Sequence, residues 1–461
     1  MIATILNILV LFVGLSWFLA LAYRQRWAKY FIITPFLLFG FQEIFSLWGI
    51  PLNYAFKEKP LDGWEILVIG TAFLAFVTGF FLAGGKNLSL KSYLSKPITA
   101  KYPLQYYFMG VSVTILILVG LGLYYYQGAP ALGFSIIELL TGNLSIGELA
   151  SFMSEQRFLL TKSHWFGGEY RGQGVINIIQ RIGWRFVFAV SLIIYLKVKS
   201  KKWLFICILT GLLLVLFQAG TGERAPLAFS VLFMIIVLSM LQKINPNHFI
   251  ILAALGFAFL MGTTYFSAKG TLQKDTPDFV SKLASQLIER IFLGNAIHDL
   301  EIIEFVESGR MEKRMGMYHL EKFVSSFPGV RMGEPLGFRV SYLRGSSEEV
   351  FSSGTYLGFI YADFGYLGVI IGFFLLGVFL AFVQKQIYEK ERDVISIVIS
   401  SMIIFYLSFI TGSGLIGFAS NMLMVVFFWG IFHFLGTLFS KSHTPNFSPD
   451  NIPMKRKFFL P

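Results

Sequence analysis

Charged side chains interrupt the apolar part of this sequence at two places, and both suit the binding of an anion. Glu223 and Arg224 lie in FQAGTGERAPLAF (217–229), where a glycine-containing turn separates two apolar runs. The amino end of the helix that follows carries a partial positive charge and free N–H groups, which favour anions. Arg181 and Arg185 are spaced i, i+4 in VINIIQRIGWRF, so both occupy one face of a helix.

Each pair also has an explanation that needs no ligand. GTGERAP could be a polar turn at a membrane surface, with Arg224 extending to lipid phosphate, and Arg181 and Arg185 could extend to the interface in the same way. Charges inside membrane segments usually point into a protein cavity instead, and Glu43 could then partner one of these arginines. The sequence leaves both explanations open.

The elements that position these residues are membrane helices. The chain has 461 residues, of which 55% are hydrophobic and 14% charged, and its mean hydropathy is +0.67. A soluble protein of this length needs more polar surface, so the fold class is an all-α polytopic membrane protein. The first apolar run could be a signal peptide, but no basic residue precedes it, so we expect a retained helix. About eleven runs are long enough to cross ~30 Å of hydrocarbon: 2–22, 30–49, 64–83, 104–126, 175–196, 203–219, 226–242, 247–266, 353–382, 394–413 and 420–439.

These spans divide the chain into four regions. Residues 1–266 hold the first eight spans and an outer loop at 127–174, and residues 267–352 form one large extracytoplasmic loop. Residues 353–440 hold the last three spans, and residues 441–461 form a cytoplasmic tail. Basic residues are concentrated in every second loop, and these loops all lie on one side of the membrane. Because basic loops are usually cytoplasmic, this pattern predicts that the N-terminus is outside and the C-terminus inside. The net charge of +12 is therefore an orientation signal toward anionic lipid, and we infer no nucleic-acid partner from it.

The large loop has two parts. Apolar residues recur at three-to-four spacing over 279–309, which predicts amphipathic helices on the outer membrane surface. Prolines and glycines then predict an irregular loop over 325–354, and its aromatic residues and spaced arginines argue against simple disorder.

Several kinds of site are excluded by composition. Cys207 is the single cysteine, so no disulfide forms within the chain, and the six histidines lack metal-ligand spacing. There is no glycine-rich phosphate loop. We expect no metal and no cofactor.

Three stretches of the sequence resemble the bacterial oligosaccharide repeat-unit polymerases, the Wzy family, which includes the polymerases of O-antigen and of enterobacterial common antigen. They are GTGERAPLAF, then LIERIFLGNAIHDL followed by SSFPGVRMGEPLG, and finally SSGTYLGFIYADFGYLGVIIGFFLLG. Together with the topology, the resemblance spans nearly the whole chain. It implies a GT-C-like helical fold in the bacterial cytoplasmic (inner) membrane, with the active site on the extracytoplasmic face.

The resemblance also implies an activity. A glycan is transferred from its undecaprenyl-diphosphate donor to the non-reducing end of an incoming lipid-linked repeat unit, the acceptor, and a chain-length regulator usually works with the enzyme. Arginines match the oxygens of a leaving diphosphate bidentately and stay charged at any working pH, which favours a metal-independent reaction.

The match to the family motifs assigns site residues. Arg224, Arg290 and Arg331 are the first choices for contacts with the diphosphate or the glycan. Substrate-binding candidates in membrane helix and loop are Arg181, Arg185, Arg339 and Arg344. An inverting transfer also needs a base, and the candidates are Glu223, His298, Asp299 and Glu334.

Two other functions would use similar chemistry. A flippase that exports lipid-linked oligosaccharide also binds a diphosphate, but such exporters typically show two similar halves, and this sequence has no internal repeat. A ligase of the O-antigen type shares the layout and transfers the glycan to another acceptor. The sequence does not distinguish a polymerase from a ligase.

Overall fold

The computed structural model contains helices at most of the predicted positions. It describes residues 2–24, 33–43, 63–85, 90–126, 138, 141–142, 173–219, 225–243, 296–324, 333, 336–345, 355–408 and 410–440. Within these ranges the regular structure is helical, apart from one isolated bridge between Thr99 and Asp393. Residues 35–43 form a helical segment. The other helices are α1 (Ile2–Arg24), α2 (Gly63–Leu82), α3 (Leu90–Ser95), α4 (Leu104–Tyr125), α5 (Gln173–Val198), α6 (Lys201–Ala219), α7 (Ala225–Met240), α8 (Ala296–Glu307), α9 (Met317–Val324), α10 (Leu336–Leu343), α11 (Tyr356–Glu389), α12 (Val394–Ser408) and α13 (Ile410–Ser440).

Six of the described helices are long and apolar enough to cross a membrane, which confirms a helical membrane protein. The predicted span 247–266 and the predicted tail 441–461 lie outside the described residues. Shorter apolar helices occur at Phe12–Arg24, Pro226–Met240 and Val394–Ser408. The six candidate spans are Gly63–Leu82, Leu104–Tyr125, Gly174–Val198, Lys201–Gln218, Tyr356–Glu389 and Gly417–Leu438.

The helices pack around two hydrophobic cores. The first core contains side chains from α3 to α7, α12, α13 and the carboxyl end of α11. The second contains side chains from α1, 35–43, α2 and α8 to α11. Val383, Ile403 and Phe418 pack against both cores, and α12 passes from one to the other, since Tyr406 belongs to the first and Leu407 to the second. A seam between the cores therefore runs beside the end of α12.

The second core depends on a close approach of α2 and α11. A Cβ atom added at Gly79 would lie 2.1 Å from the Phe374 carbonyl oxygen, and one added at Gly377 would lie 2.1 Å from that of Phe76. Small residues at facing positions allow membrane helices to approach backbone to backbone. These two glycines therefore set the distance between the two spans.

Arg392 joins three chain segments at one end of the molecule. It is buried and donates to the carbonyl oxygens of Leu94 (3.1 Å), Lys96 (3.1 Å) and Met240 (2.7 Å). Lys96 in turn donates to the Glu389 carbonyl at 2.7 Å. The charge pattern predicts all of these segments on the same side of the membrane, and their contacts agree with that shared side.

Three sequence predictions need correction. The predicted spans 394–413 and 420–439 are in fact α12, which ends at Ser408, and α13, which runs without a break from Ile410. The small residues of ITGSGLIG lie within α13, since glycine is tolerated in membrane helices, where no water competes for the backbone hydrogen bonds.

The other two corrections concern the large loop. The predicted irregular region contains α10, because Leu336 and Val340 are spaced i, i+4 and both enter the second core. The predicted surface helix α8 is not lipid-facing on its apolar side: Ile302, Ile303 and Phe305 are buried within the second core, and α8 packs on α11. Its apolar stripe is covered by protein.

Candidate anion-binding site

Arg185 is a buried arginine held by three neutral groups. Its Nε donates to Ser230 Oγ (3.0 Å), its Nη1 to the Tyr406 hydroxyl (3.2 Å) and its Nη2 to the Pro226 carbonyl (3.0 Å). The guanidinium also lies 4.9 Å from the centroid of the Phe405 ring. Three helices therefore orient it, since α5 carries the arginine while α7 and α12 supply its partners.

The charge of Arg185 is not neutralised by any carboxylate among the described residues. Pro226 lies in the first turn of α7, so the guanidinium lies beside the amino end of that helix and bonds to one of its carbonyl oxygens. Burying a cation without a counterion is costly, and a helix N-terminus adds to the positive potential. This location favours a bound anion.

A glutamine network holds the neighbouring end of α6 against α5. Gln218 Nε2 donates to the carbonyl oxygens of Gln180 (3.2 Å) and Arg181 (3.3 Å). Gln180 in turn donates to the Leu118 carbonyl at 2.6 Å and accepts from Trp184 Nε1 at 2.6 Å. Because Gln218 is one residue from the end of α6, the helices on both sides of the GTGERAP turn are bonded to α5 at the level of its two arginines.

The site around Arg185, called the arginine site below, lies toward the end of the molecule opposite Arg392. Met240 at the end of α7 is bonded by Arg392, whereas Pro226 at the start of α7 is bonded by Arg185. Tyr406 likewise lies roughly three turns into α12, whose first residues follow Arg392. The start of α11 is also far from Arg392, because 34 helical residues separate them.

Asp299 holds the start of α11. Its carboxylate accepts from the backbone N–H of Thr355 (2.7 Å) and of Gly358 (3.2 Å), and from the Thr355 hydroxyl. Burial raises the pKa of Asp299 to about 6, although the hydrogen bonds from Thr355 and Gly358 act in the opposite direction. Both carboxylate oxygens are used by the helix start, so this geometry makes Asp299 a positioning group and disfavours it as the base.

His298, Glu301 and Arg344 form a partly exposed cluster on α8 and the end of α10. Glu301 Oε2 lies 3.3 Å from His298 Nδ1 and accepts from Arg344, while Arg344 Nη2 lies 2.8 Å from the same His298 nitrogen. Burial alone would raise the pKa of Glu301, but the neighbouring His298 and Arg344 lower it below the usual value. Because a guanidinium can only donate, His298 Nδ1 accepts from Arg344, and the proton of the neutral imidazole then lies on Nε2.

Arg314 and Arg339 flank the ring of buried Tyr318. Their guanidinium carbons lie 5.2 Å and 5.5 Å from its centroid, and Arg339 Nη1 donates to the Tyr318 hydroxyl at 3.4 Å. Arg314 also pairs with Glu321 at 2.6 Å. Arg339 thus contacts an aromatic residue at the side of α9.

Asp363 is an acidic residue inside a membrane helix, and it was not among the site candidates predicted from the sequence. It is fully buried in α11 and accepts from the backbone N–H groups of Tyr318 and His319, both at 3.0 Å, and from the His319 ring at 2.5 Å. Two residues later, Gly365 adopts φ 66°, which interrupts the helical geometry of α11. A single carboxylate in the apolar stretch FIYADFGYLG was the available signal, because charges in membrane segments usually have a specific role.

No family model, no curated protein and no solved structure matches this chain.

Two pairs of the predicted site residues lie near each other among the described residues. Arg181 and Arg185 are one turn apart on α5 and within electrostatic range of each other, and His298 contacts Arg344. Arg339 lies on α10 beside Tyr318 and is in neither pair. The remaining candidates lie outside the described residues: Glu223, Arg224, Arg290, Arg331 and Glu334.

Arg185 does not pair with the suggested partner Glu43. Glu43 is buried in the segment whose Phe36 and Phe39 enter the second core, and it lies within electrostatic range of Asp299. Arg185 instead lies against Phe405 of the first core and uses neutral acceptors. Within the part of the chain that the structure describes, no group of three or more His, Cys, Asp or Glu side chains is arranged to hold a metal ion.

Proposed function

We propose that this protein is a membrane glycosyltransferase that polymerises undecaprenyl-diphosphate-linked oligosaccharide repeat units for a surface polysaccharide. The observation that carries the proposal is the buried Arg185 guanidinium, which lies beside the amino end of α7 and has no carboxylate partner among the described residues. Such a location suits a diphosphate, whose negative charge would offset both the guanidinium and the partial positive charge at the start of α7.

The reaction transfers a glycan from a diphosphate leaving group to a hydroxyl of the acceptor. As the bond between the anomeric carbon and the diphosphate oxygen breaks, negative charge grows on that oxygen. A guanidinium already held in place by Ser230, Tyr406 and Pro226 stabilises this charge without reorganising. Arg181, one turn before Arg185, adds positive potential to the same polar cluster.

A base must remove the proton from the acceptor hydroxyl. His298 is the candidate among the described residues, and it would take the proton at Nδ1, the ring nitrogen that accepts from Arg344 in the structure. Glu223 and Glu334 are the other candidates in this proposal. The site faces the extracytoplasmic side of a bacterial inner membrane, and a chain-length regulator is the expected partner.

Reconstitution in vesicles tests the proposal. The full chain is given purified lipid-linked repeat units without ATP, nucleotide sugar or added divalent cation, and the glycan products are separated by length. Longer lipid-linked glycans are the expected result. Movement of the substrate across the vesicle membrane with no change in glycan length would identify a flippase instead.

A deletion strain provides the complementary test. Loss of long chains with single repeat units still attached to the final acceptor indicates a polymerase. Retention of long lipid-linked chains that never reach that acceptor indicates a ligase, and loss of both long and single units indicates an exporter.

A further inference from the structure

A small cavity lies at the Arg392 end of the molecule, far from the arginine site. Its volume is about 70 Å³, and its lining includes Lys101, Asp393, Trp429 and His433. A single water molecule needs a cavity of roughly 10–15 Å³, counted as the volume open to the centre of the water, so this cavity has room for a group of several heavy atoms. It does not take part in the reaction proposed above.

The polar groups of the cavity are mainly hydrogen-bond donors. The Tyr102 hydroxyl lies 3.0 Å from His433 Nδ1, and the His433 ring stacks on Trp429 with centroids 5.0 Å apart. When Tyr102 donates to Nδ1, the proton of the neutral imidazole is on Nε2, which becomes a donor. Lys101 adds an ammonium group, and its nitrogen lies 5.7 Å from the centroid of the Tyr102 ring.

Asp393 is the one acidic residue of the lining, and its charge is already engaged. Its carboxylate accepts from the backbone N–H groups of Ile395 (3.0 Å) and Ser396 (3.3 Å) and from the Ser396 hydroxyl. These donors belong to the first turn of α12, whose positive end offsets the carboxylate. Lys101 has no carboxylate partner among the described residues, so the net preference of the cavity is for an anion.

The position of the cavity identifies the source of that anion. It lies beside α13, whose outward side chains Phe427, Phe434 and Leu438 are 48%, 61% and 51% exposed in a helix apolar enough to span the membrane. Tyr102 lies two residues before the span Leu104–Tyr125, and tyrosine at the end of a membrane span is typical of the level of the lipid head groups. We propose that this cavity binds the phosphate of an anionic phospholipid, with Lys101 and His433 as the donors.

Native mass spectrometry of the detergent-purified full chain, titrated with phosphatidylglycerol, tests this proposal. Lys101→Ala and His433→Phe should each weaken the tightest binding event, Lys101→Ala by roughly fivefold, since one lysine near a membrane surface contributes about that factor. The matched control is Lys243→Ala, which removes an exposed lysine from the same end of the molecule but not from the cavity. The control should retain wild-type affinity.

Three outcomes would overturn the proposal. Wild-type affinity in Lys101→Ala would remove the cavity as the binding site. An equal loss in Lys243→Ala would reduce the binding to a general attraction of the basic surface. Displacement of the lipid by millimolar inorganic phosphate would assign the cavity to free phosphate. The activity of the protein on glycans has no bearing on any of these results.

Discussion

Arg185 and Asp299 are both buried side chains that bond to the start of another helix, and their surroundings differ in one respect. Asp299 is negative and meets the positive end of α11, so two backbone N–H groups and a hydroxyl offset its charge. Arg185 is positive and lies beside the amino end of α7, where neutral acceptors satisfy its hydrogen bonds and no carboxylate among the described residues balances its charge. Asp299 is therefore a carboxyl group whose hydrogen bonds position a helix, whereas the proposed function assigns the charge of Arg185 to a ligand.

The largest effect is expected from removing the charge of Arg185. Arg185→Ala should lower the rate of glycan extension per folded molecule by about 100-fold or more, the usual loss when one preorganised group that stabilises developing charge is removed. Arg185→Lys keeps the charge but loses the planar fork, so a smaller loss is expected. The rates are measured in vesicles and normalised to monodisperse protein from size-exclusion chromatography.

Tyr406→Phe and Ser230→Ala serve as matched controls for Arg185. Each removes one group that orients the guanidinium but keeps the charge, so each should reduce the rate by less than Arg185→Ala. If Arg185→Ala lowers thermal stability while the rate per folded molecule stays at the wild-type value, Arg185 is a structural residue like Asp299 and the comparison fails.

The next effect concerns the stability of α11. Asp299→Ala leaves the Thr355 and Gly358 N–H groups buried without their acceptor, which should destabilise the protein by about 2–4 kcal/mol. Asp299→Asn keeps an acceptor oxygen and should cost less. Denaturant unfolding in detergent measures both. A lost rate with unchanged stability would instead return Asp299 to the candidates for the base.

The pH dependence of stability should follow the same carboxylate. Burial raises the pKa of Asp299 from 3.8 to about 6, so the folded state holds its proton more tightly than the unfolded state. This contribution is fully present below pH ~4 and is lost as the pH rises to ~6, a change of about 3 kcal/mol. The difference in unfolding free energy between the wild type and Asp299→Asn should vary over this window, and a constant difference would contradict the assignment.

The smallest effect is expected at the partly exposed cluster of His298, Glu301 and Arg344. Arg344→Ala should change the unfolding free energy by less than about 1 kcal/mol, because the Arg344 and Glu301 side chains are 33% and 21% exposed and solvent weakens their attraction. Arg344→Lys, which keeps the charge, is the control. A change as large as that of Asp299→Ala would place this cluster among the groups that hold the fold.

The α5 arginines could be predicted from the sequence, but their partners could not. Arg181 and Arg185 were found because two arginines at i, i+4 in an apolar run are conspicuous, and a helix necessarily places them on one face. Their partners Ser230 and Tyr406 are distant in sequence and of common types, so no local pattern marks them. The suggested pairing of Glu43 with Arg185 failed because opposite charge predicts attraction but not proximity.

The sequence by itself determined that this is a helical membrane protein, because apolar runs of sufficient length have few other ways to satisfy their backbone hydrogen bonds. It also predicts which loops share a side, since basic residues are concentrated in alternate loops. Only the tertiary structure decided which charges are already compensated. Compensation depends on which helix end or side chain lies within about 3 Å of a charge, and packing between distant segments decides that distance, as it does for Asp299 with Thr355 and for Arg185 with Pro226.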